Sequence, residues 1–176
     1  MSEATPTTAT ASATAAGEQD PPAWEICPAQ VADVEAVAGG VRELLVELGG
    51  TPPALREMIE AARALIEDPA AGVVLVARAQ AGEELGGLLA ASWQTAIHVP
   101  GRYALIQDLW VRADARSQGL GAELLDALFV LAREHGMARV EVGLPRESFA
   151  HFAATEGFYL ANEFTHNGPR MRRALR

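Results

Sequence analysis

The chain has 176 residues, a formal net charge of −9 at pH 7 and one cysteine. The excess of acidic groups argues against nucleic acid and anionic membranes as general partners, because both are polyanions. One cysteine excludes an intrachain disulfide and fits a reducing compartment, and no apolar run approaches the ~20 residues that span a bilayer. We therefore expect a cytoplasmic protein. All 14 basic side chains are arginine, which together with abundant alanine indicates a GC-rich bacterial genome.

The first 22 residues differ in composition from the rest of the chain. Residues 1–22 are mostly alanine, threonine, serine and proline. They carry too few large apolar side chains to offset the entropy of an ordered chain, so we predict a disordered tail. The tail has neither the basic nor the apolar segment of a secretory signal. We predict one folded domain over residues 23–176.

The first half of this domain alternates strand and helix patterns. Apolar side chains at helical spacing predict two helices, the first ended by Gly49 and Gly50 and the second opened by Pro52 and Pro53. Continuous apolar runs predict a hairpin that leads into a third strand. The predicted elements are a strand at residues 24–27, helices at 31–48 and 53–68, and strands at 73–78, 85–93 and 103–111.

A strand, a glycine-containing loop and a helix follow one another in the middle of the chain. Residues 105–111 are rich in β-branched and aromatic side chains, which predicts a buried strand. Leucines recur at helical spacing from Leu120 to Leu131, and Gly136 ends that helix. The loop between them reads Arg-Ser-Gln-Gly-Leu-Gly-Ala over residues 116–122.

This loop has the features of an anion site. Gly119 and Gly121 leave the backbone accessible, and the first turn of the helix leaves about four N–H groups without intrahelical partners. Those donors and the positive end of the helix dipole suit a pyrophosphate, to which Arg116 can add charge-assisted hydrogen bonds. The alternative is a structural turn in which the glycines only permit tight packing.

Two other phosphate-binding motifs fit this loop less well. A P-loop requires a lysine after its glycines, and the chain contains no lysine. A dinucleotide-binding loop requires a third small residue and an acidic residue about twenty positions further on. Glu141 lies near that distance, but too little chain follows it to complete a doubly wound sheet.

The remaining elements complete a mixed sheet. Residues 138–144 predict a strand parallel to the one before the loop, because a helical crossover separates them. A short helix over residues 146–156 ends at Gly157. Residues 158–164 and 170–175 then predict a closing hairpin.

Asp108-Leu109-Trp110-Val111, followed by residues 116–122, resembles the acetyl-CoA-binding signature of the GNAT N-acetyltransferase superfamily, Gln/Arg-x-x-Gly-x-Gly/Ala. A weaker similarity extends over residues 24–176. The resemblance implies an α/β (α+β) fold with a mixed, mostly antiparallel central sheet of about six to seven strands and about four flanking helices. It also implies a V-shaped splay between the two central parallel strands.

The resemblance further implies acetyl-CoA as a co-substrate. Its pantetheine arm would pair with the backbone of Leu109 and Val111, and its pyrophosphate would rest on the amides of residues 118–122. The cofactor-binding residues that the resemblance implies are Leu109, Trp110, Val111, Arg116, Ser117, Gln118, Gly119, Leu120, Gly121 and Ala122.

The end of the chain departs from the family pattern. Phe152, Gly157 and Phe158 match it, but Ala153 stands where the family's thiolate-protonating tyrosine is expected, and Arg146 replaces an asparagine. A thiol with a pKa near ~8.5 does not strictly require an enzymic acid. The proton sources left open are water, Tyr159, His151 and His166.

The function implied is transfer of the acetyl group to a primary amine, of a small molecule or a protein, by direct attack in a ternary complex. Asp108 is the first choice of base because it lies on the strand that meets the thioester, and Glu141 and Glu147 are weaker choices. A carboxylate tied up in a structural contact is the alternative for Asp108. Homodimers are frequent for this fold, and no cluster of side chains has metal-ligand spacing.

Two further functions stay open. A CoA-binding sensor or interaction module that has lost turnover is motivated by Ala153. A protein that uses the glycine loop for another nucleotide is the third hypothesis.

Overall fold

The computed structural model describes residues 24–79, 84–98 and 101–168, together with residues 171 and 173. The predicted tail over residues 1–22 lies outside the described residues, as does most of the turn predicted at 80–84. None of the helices in these ranges is long and apolar enough to cross a membrane.

Five strands form one sheet in sequence order. They are β1 (Trp24–Pro28), β2 (Gly72–Ala79), β3 (Leu85–Thr95), β4 (Arg102–Val111) and β5 (Met137–Val142). Neighbours are antiparallel except β4 and β5, which are parallel as the helical crossover between them predicts. The sheet is therefore mixed and mostly antiparallel. The described residues contain five strands, so the prediction of six to seven was wrong.

Among the described residues, four α-helices cover the two faces of the sheet. They are α1 (Val34–Glu47), α2 (Leu55–Glu67), α3 (Leu120–Glu134) and α4 (Phe152–Ala161). The first core lies between the sheet and α3 and α4, and the second core lies between the opposite face and α1 and α2. The buried side chains of the first core include Leu89, Ile106, Leu124, Leu128 and Tyr159. Those of the second include Val37, Val76, Leu88, Ala90 and Trp110.

Burial on both faces explains why the sequence of β3 does not alternate between apolar and polar residues. All residues of β3 from Leu85 to Ala91 are buried, because one core covers each face of the strand. A strand buried on both faces has a continuous apolar run, whereas a half-exposed strand alternates. The length of the run, bounded by polar residues, predicted the strand.

The end of the described chain differs from the prediction. The helix predicted over residues 146–156 begins later, at Phe152, and continues through Gly157 to Ala161. Gly157 is not among the glycines with positive φ, and the turn of chain after it keeps helical hydrogen bonds, such as Asn162 N–H to the Phe158 carbonyl.

The predicted strand over residues 158–164 is therefore wrong. Phe158 and Tyr159 pack as helical neighbours on the first core, and Glu163, with a φ of 65°, marks the end of the helix. Most of the partner strand predicted at residues 170–175 lies outside the described residues.

Candidate functional site

A gap opens between the two parallel strands at the centre of the molecule. β4 and β5 pair from Arg102 opposite Met137 to Ile106 opposite Val142. β4 then continues to Val111, paired only with β3 on its other side. Within the described chain, residues 107–111 therefore have no strand on the β5 side, as the predicted splay requires.

The backbone of Leu109 and Val111 faces this gap. The Arg112 N–H donates to the Gly86 carbonyl of β3 at 2.9 Å. Successive residues of a strand direct their N–H and C=O groups to opposite sides, so Leu109 and Val111 direct theirs away from β3. Trp110 is directed towards β3, and its indole lies in the second core with 6% of the residue exposed. Of the three strand residues predicted to bind the cofactor, Leu109 and Val111 therefore present their backbone to the gap, whereas the Trp110 side chain packs in the second core.

The glycine loop ends in accessible backbone donors. Gly119 has a φ of 85°, a left-handed conformation that L side chains rarely adopt, and α3 begins at the next residue. The N–H groups of Ala122 and Glu123 both donate to the Gly119 carbonyl, at 2.9 and 3.1 Å. The amides of Leu120 and Gly121 precede these bonds, where a helix has no intrahelical acceptor. This geometry suits an anion at the start of α3.

Gly121 also has a role in packing, and the contact of its amide with a pyrophosphate stays a prediction. A Cβ added there would lie 3.3 Å from two ring atoms of Phe158 and 3.8 Å from a methyl of Val111. The missing side chain therefore lets α4 approach α3 and the end of β4. Gly121 serves this packing contact, whereas Gly119 provides the backbone conformation.

Two polar side chains of the loop, Arg116 and Gln118, have protein partners. Arg116 donates to the Val111 carbonyl and to both carboxylate oxygens of Glu47. The Gln118 side chain donates to the Asp114 carbonyl at 2.8 Å, and Ser117 is exposed with a φ of 61°. The contact between Arg116 and a pyrophosphate stays a prediction.

Asp108 lies beside the gap on the side of α1 and α2. It is opposite Ala90, a residue of the second core, whereas Ile106 is opposite Ala91 of the first core. The extra residue, Gln107, is a bulge in β4 that reverses the alternation of its side chains. Burial raises the pKa of Asp108, and no hydrogen-bond or ion-pair partner reaches its carboxyl group from the described residues. Asp108 is therefore available to exchange a proton.

A polar sheet surface extends from Asp108 across three strands. Ser92 of β3, Leu105 of β4 and Glu141 of β5 lie opposite one another in register. The Ser92 hydroxyl oxygen accepts from the amide nitrogens of Gln94 at 2.9 Å and Gln107 at 2.8 Å.

Glu141, one of the two weaker choices of base, has partners on this surface. It pairs with Arg139 at 2.7 Å and accepts from Asn167 at 3.4 Å, while Arg139 lies over the Tyr103 ring. Ser92 and Gln94 were not predicted from the sequence, although polar residues two apart in an apolar run are a signal for one partly open face.

The candidate proton donors near α4 differ in their surroundings. Ala153 is exposed, and Tyr159 is buried in the first core, where desolvation raises its pKa to about 12. His166 lies 3.4 Å from Glu156, and His151 precedes α4 with its ring against Phe149. Tyr159 therefore keeps its proton at physiological pH.

A cavity of about 1080 Å³ lies along the other edge of β5, between α4 and residues 164–168. No residue of β4 or of the glycine loop lines it. The gap is therefore the candidate functional site, on the strength of its backbone geometry and its titratable group.

Comparisons with known proteins agree with this geometry. The acetyltransferase (GNAT) family model matches residues 41–162. No curated protein matches the chain. A candidate acetyltransferase from Arthrobacter sp. FB24 is 27% identical, with 91% of this chain and 99% of that chain covered and a TM-score of 0.69.

More distant structures share the fold. A predicted acetyltransferase from Clostridium acetobutylicum, solved with acetyl-CoA, is 14% identical, with a TM-score of 0.71 and coverage of 86% of this chain and 96% of that one. An acetyltransferase from Trypanosoma brucei is 21% identical, with a TM-score of 0.67 and coverage of 87% and 100%. Because the family model spans well over half of the sequence, the chain belongs to the GNAT acetyltransferase family.

Proposed function

We propose that this protein is an N-acetyltransferase that transfers the acetyl group of acetyl-CoA to a primary amine by direct attack in a ternary complex. The observation that carries the proposal is the gap between β4 and β5, which ends at the donors of the glycine loop. The gap-facing backbone of Leu109 and Val111 fits the amides of a pantetheine arm, and the start of α3 fits a pyrophosphate. The Clostridium acetobutylicum neighbour, which holds acetyl-CoA, supports the choice of acyl donor.

The amine approaches from the polar sheet surface on the α1 and α2 side. Asp108 accepts a proton from the ammonium group, directly or through a water, and the neutral amine then attacks the thioester carbonyl. The N–H groups of β4 that face the gap are donors to the carbonyl oxygen as negative charge develops on it. Holding both substrates in one geometry supplies a large part of the rate acceleration.

The thiolate of CoA leaves as the amide forms. In this proposal, water takes the second proton of the attacking nitrogen and protonates the thiolate, because Ala153 has no acidic group and Tyr159 is buried with a pKa of about 12. A thiol with an ordinary pKa of ~8.5 is a tolerable leaving group without an enzymic acid.

Calorimetric titration with acetyl-CoA tests the donor site. Gln118→Glu adds a negative charge beside the loop amides without filling the space that Phe158 occupies, and we expect it to weaken binding about tenfold. Ala61→Glu adds the same charge on the exposed surface of α2 and is expected to bind like the wild type. Absence of wild-type binding would refute the proposed donor.

Release of CoA in the presence of a panel of primary amines tests turnover. We expect a thiol signal that depends on one class of amine. Binding of acetyl-CoA with no turnover on any amine would instead favour the sensor or interaction module, for which Ala153 is the specific observation. Competition by ATP or NAD at the same site would favour the nucleotide-binding alternative.

A further inference from the structure

Arg116 joins three elements of the fold through one side chain. Its Nε donates to the Val111 carbonyl at 2.8 Å, and its terminal nitrogens donate to the two carboxylate oxygens of Glu47 at 2.9 and 2.6 Å. A bidentate guanidinium–carboxylate pair fixes orientation as well as distance. The position of Arg116 therefore depends on a residue of α1 that lies 69 positions earlier in the sequence.

Glu47 occupies an unfavourable position for its own helix. It is the last residue of α1, and α1 has no basic residue in its last turn. A carboxylate there meets the negative end of the helix dipole, where a cation is preferred. Arg116 supplies the compensating positive charge. The contact with Arg116, and not the stability of α1, therefore explains the presence of an acidic residue at position 47.

The third contact of Arg116 reaches the candidate site. The Val111 carbonyl faces the gap, where no strand of the described chain supplies a donor, and the Arg116 Nε–H supplies one. Arg116 is also the first residue of the glycine loop. One guanidinium therefore fixes the end of β4 and the start of the loop relative to each other, and Glu47 holds that guanidinium.

We propose that Glu47 is a positioning residue of the acetyl-CoA site. By holding Arg116, it sets the spacing between the gap-facing backbone of Val111 and the donors of the glycine loop, and it links the end of α1 to cofactor binding. The nature of the ligand rests on the proposed function. The effect of Glu47 on the position of the loop does not depend on the proposed function.

Acetyl-CoA titration of Glu47→Gln and Glu43→Gln tests the effect on the ligand. Both variants remove one negative charge from α1, but Glu43 lies exposed one turn earlier. Because the Glu47–Arg116 pair is partly exposed, we expect Glu47→Gln to weaken binding about two- to fivefold, and Glu43→Gln to bind like the wild type. Unchanged binding would overturn the proposal. Tighter binding would also overturn the proposal, because Glu47 would then compete with the ligand for the Arg116 guanidinium.

A double variant tests whether Glu47 acts through Arg116. In an Arg116→Gln background, Glu47→Gln is expected to cause no further loss of affinity. Full additivity of the two losses would show that Glu47 acts by another route, against the proposal.

Hydrogen exchange of the ligand-free protein separates this inference from the proposed function. We expect the amides of residues 116–122 to exchange faster in Glu47→Gln than in Glu43→Gln, with no acetyl-CoA present. If the wild type does not bind acetyl-CoA, the proposed function fails and this measurement still decides whether Glu47 holds the loop. Equal exchange in the two variants would overturn that hold.

Discussion

Asp108 combines a partly buried position with a carboxyl group that has no partner among the described residues. Burial disfavours the charged form and raises the pKa of Asp108. A raised pKa makes a carboxylate a stronger base, which suits proton removal from an ammonium group. The same burial costs folding free energy whenever the group is ionised.

Asp108→Asn is expected to lower turnover about 10²- to 10⁴-fold and to leave acetyl-CoA affinity unchanged. In the wild type, the rate should fall as pH decreases through the raised pKa of Asp108, because the carboxylate is the active form. Initial rates and calorimetry across the pH range check this. Full activity of the variant would assign Asp108 a structural role.

Asp108→Asn should stabilise the folded protein, although it lowers turnover. The pKa of Asp108 is higher in the folded protein than in the unfolded chain, where it is ~3.9. The shift therefore stabilises the folded state fully at pH values below the unfolded pKa, where the group is protonated. This contribution is lost as the pH rises through the folded pKa. At pH 7, Asp108→Asn is therefore expected to raise the melting temperature. The gain should shrink towards pH 4, as thermal denaturation at several pH values would show.

The contact between α3 and α4 depends on a missing side chain. An added methyl group at Gly121 would lie 3.3 Å from the Phe158 ring, so the ring would have to move by a few tenths of an ångström. The contact brings α4 close to the start of α3 and to Val111 at the end of β4.

We expect Gly121→Ala to lower the free energy of unfolding by about 1 kcal/mol through over-packing against Phe158. Phe158→Leu in the same chain should recover part of that loss, because a smaller side chain leaves room for the methyl group. Denaturant unfolding of the two single variants and the double variant measures the coupling. Strictly additive losses would contradict the contact.

Local patterns predicted most of these elements, and contacts distant in sequence escaped prediction. The strand, the glycine loop and α3 were predicted because their signals lie within 35 consecutive residues: an apolar run, Gly119 and a leucine repeat ended by Gly136, whose φ is 66°. The bulge at Gln107 and the Glu47–Arg116 pair were not predicted, because neither has a local signature. Gly157 was read as the end of a helix, but packing of Phe158 on Gly121 favours a continued helix.

At the scale of the whole molecule, an ion pair joins the α1 and α2 layer to the sheet. Asp33, at the start of α1, accepts from the Gln30 N–H at 2.7 Å and pairs with Arg78 of β2. The Asp33 side chain is only 7% exposed, so solvent screens the pair weakly. Contacts of this kind keep α1, and with it Glu47, in a defined position over β4.

Asp33→Asn is expected to lower the free energy of unfolding by about 1–3 kcal/mol, because it leaves Arg78 without its charged partner. Asp126→Asn, which removes an exposed carboxylate from α3, is the matched control and should change stability little. Denaturant unfolding measures both. Equal stability of the two variants would mean that the pair contributes no more than a surface charge.

The bulge at Gln107 divides β4 into two segments whose side chains make different contacts. Before it, Ile106 fills the first core. After it, Trp110 fills the second core and Asp108 lies beside the gap. An uninterrupted strand would place Asp108 on the same face as Ile106, against α3. The inserted residue therefore lets one strand contribute Ile106 to the core under α3 and still hold a titratable group on the opposite face.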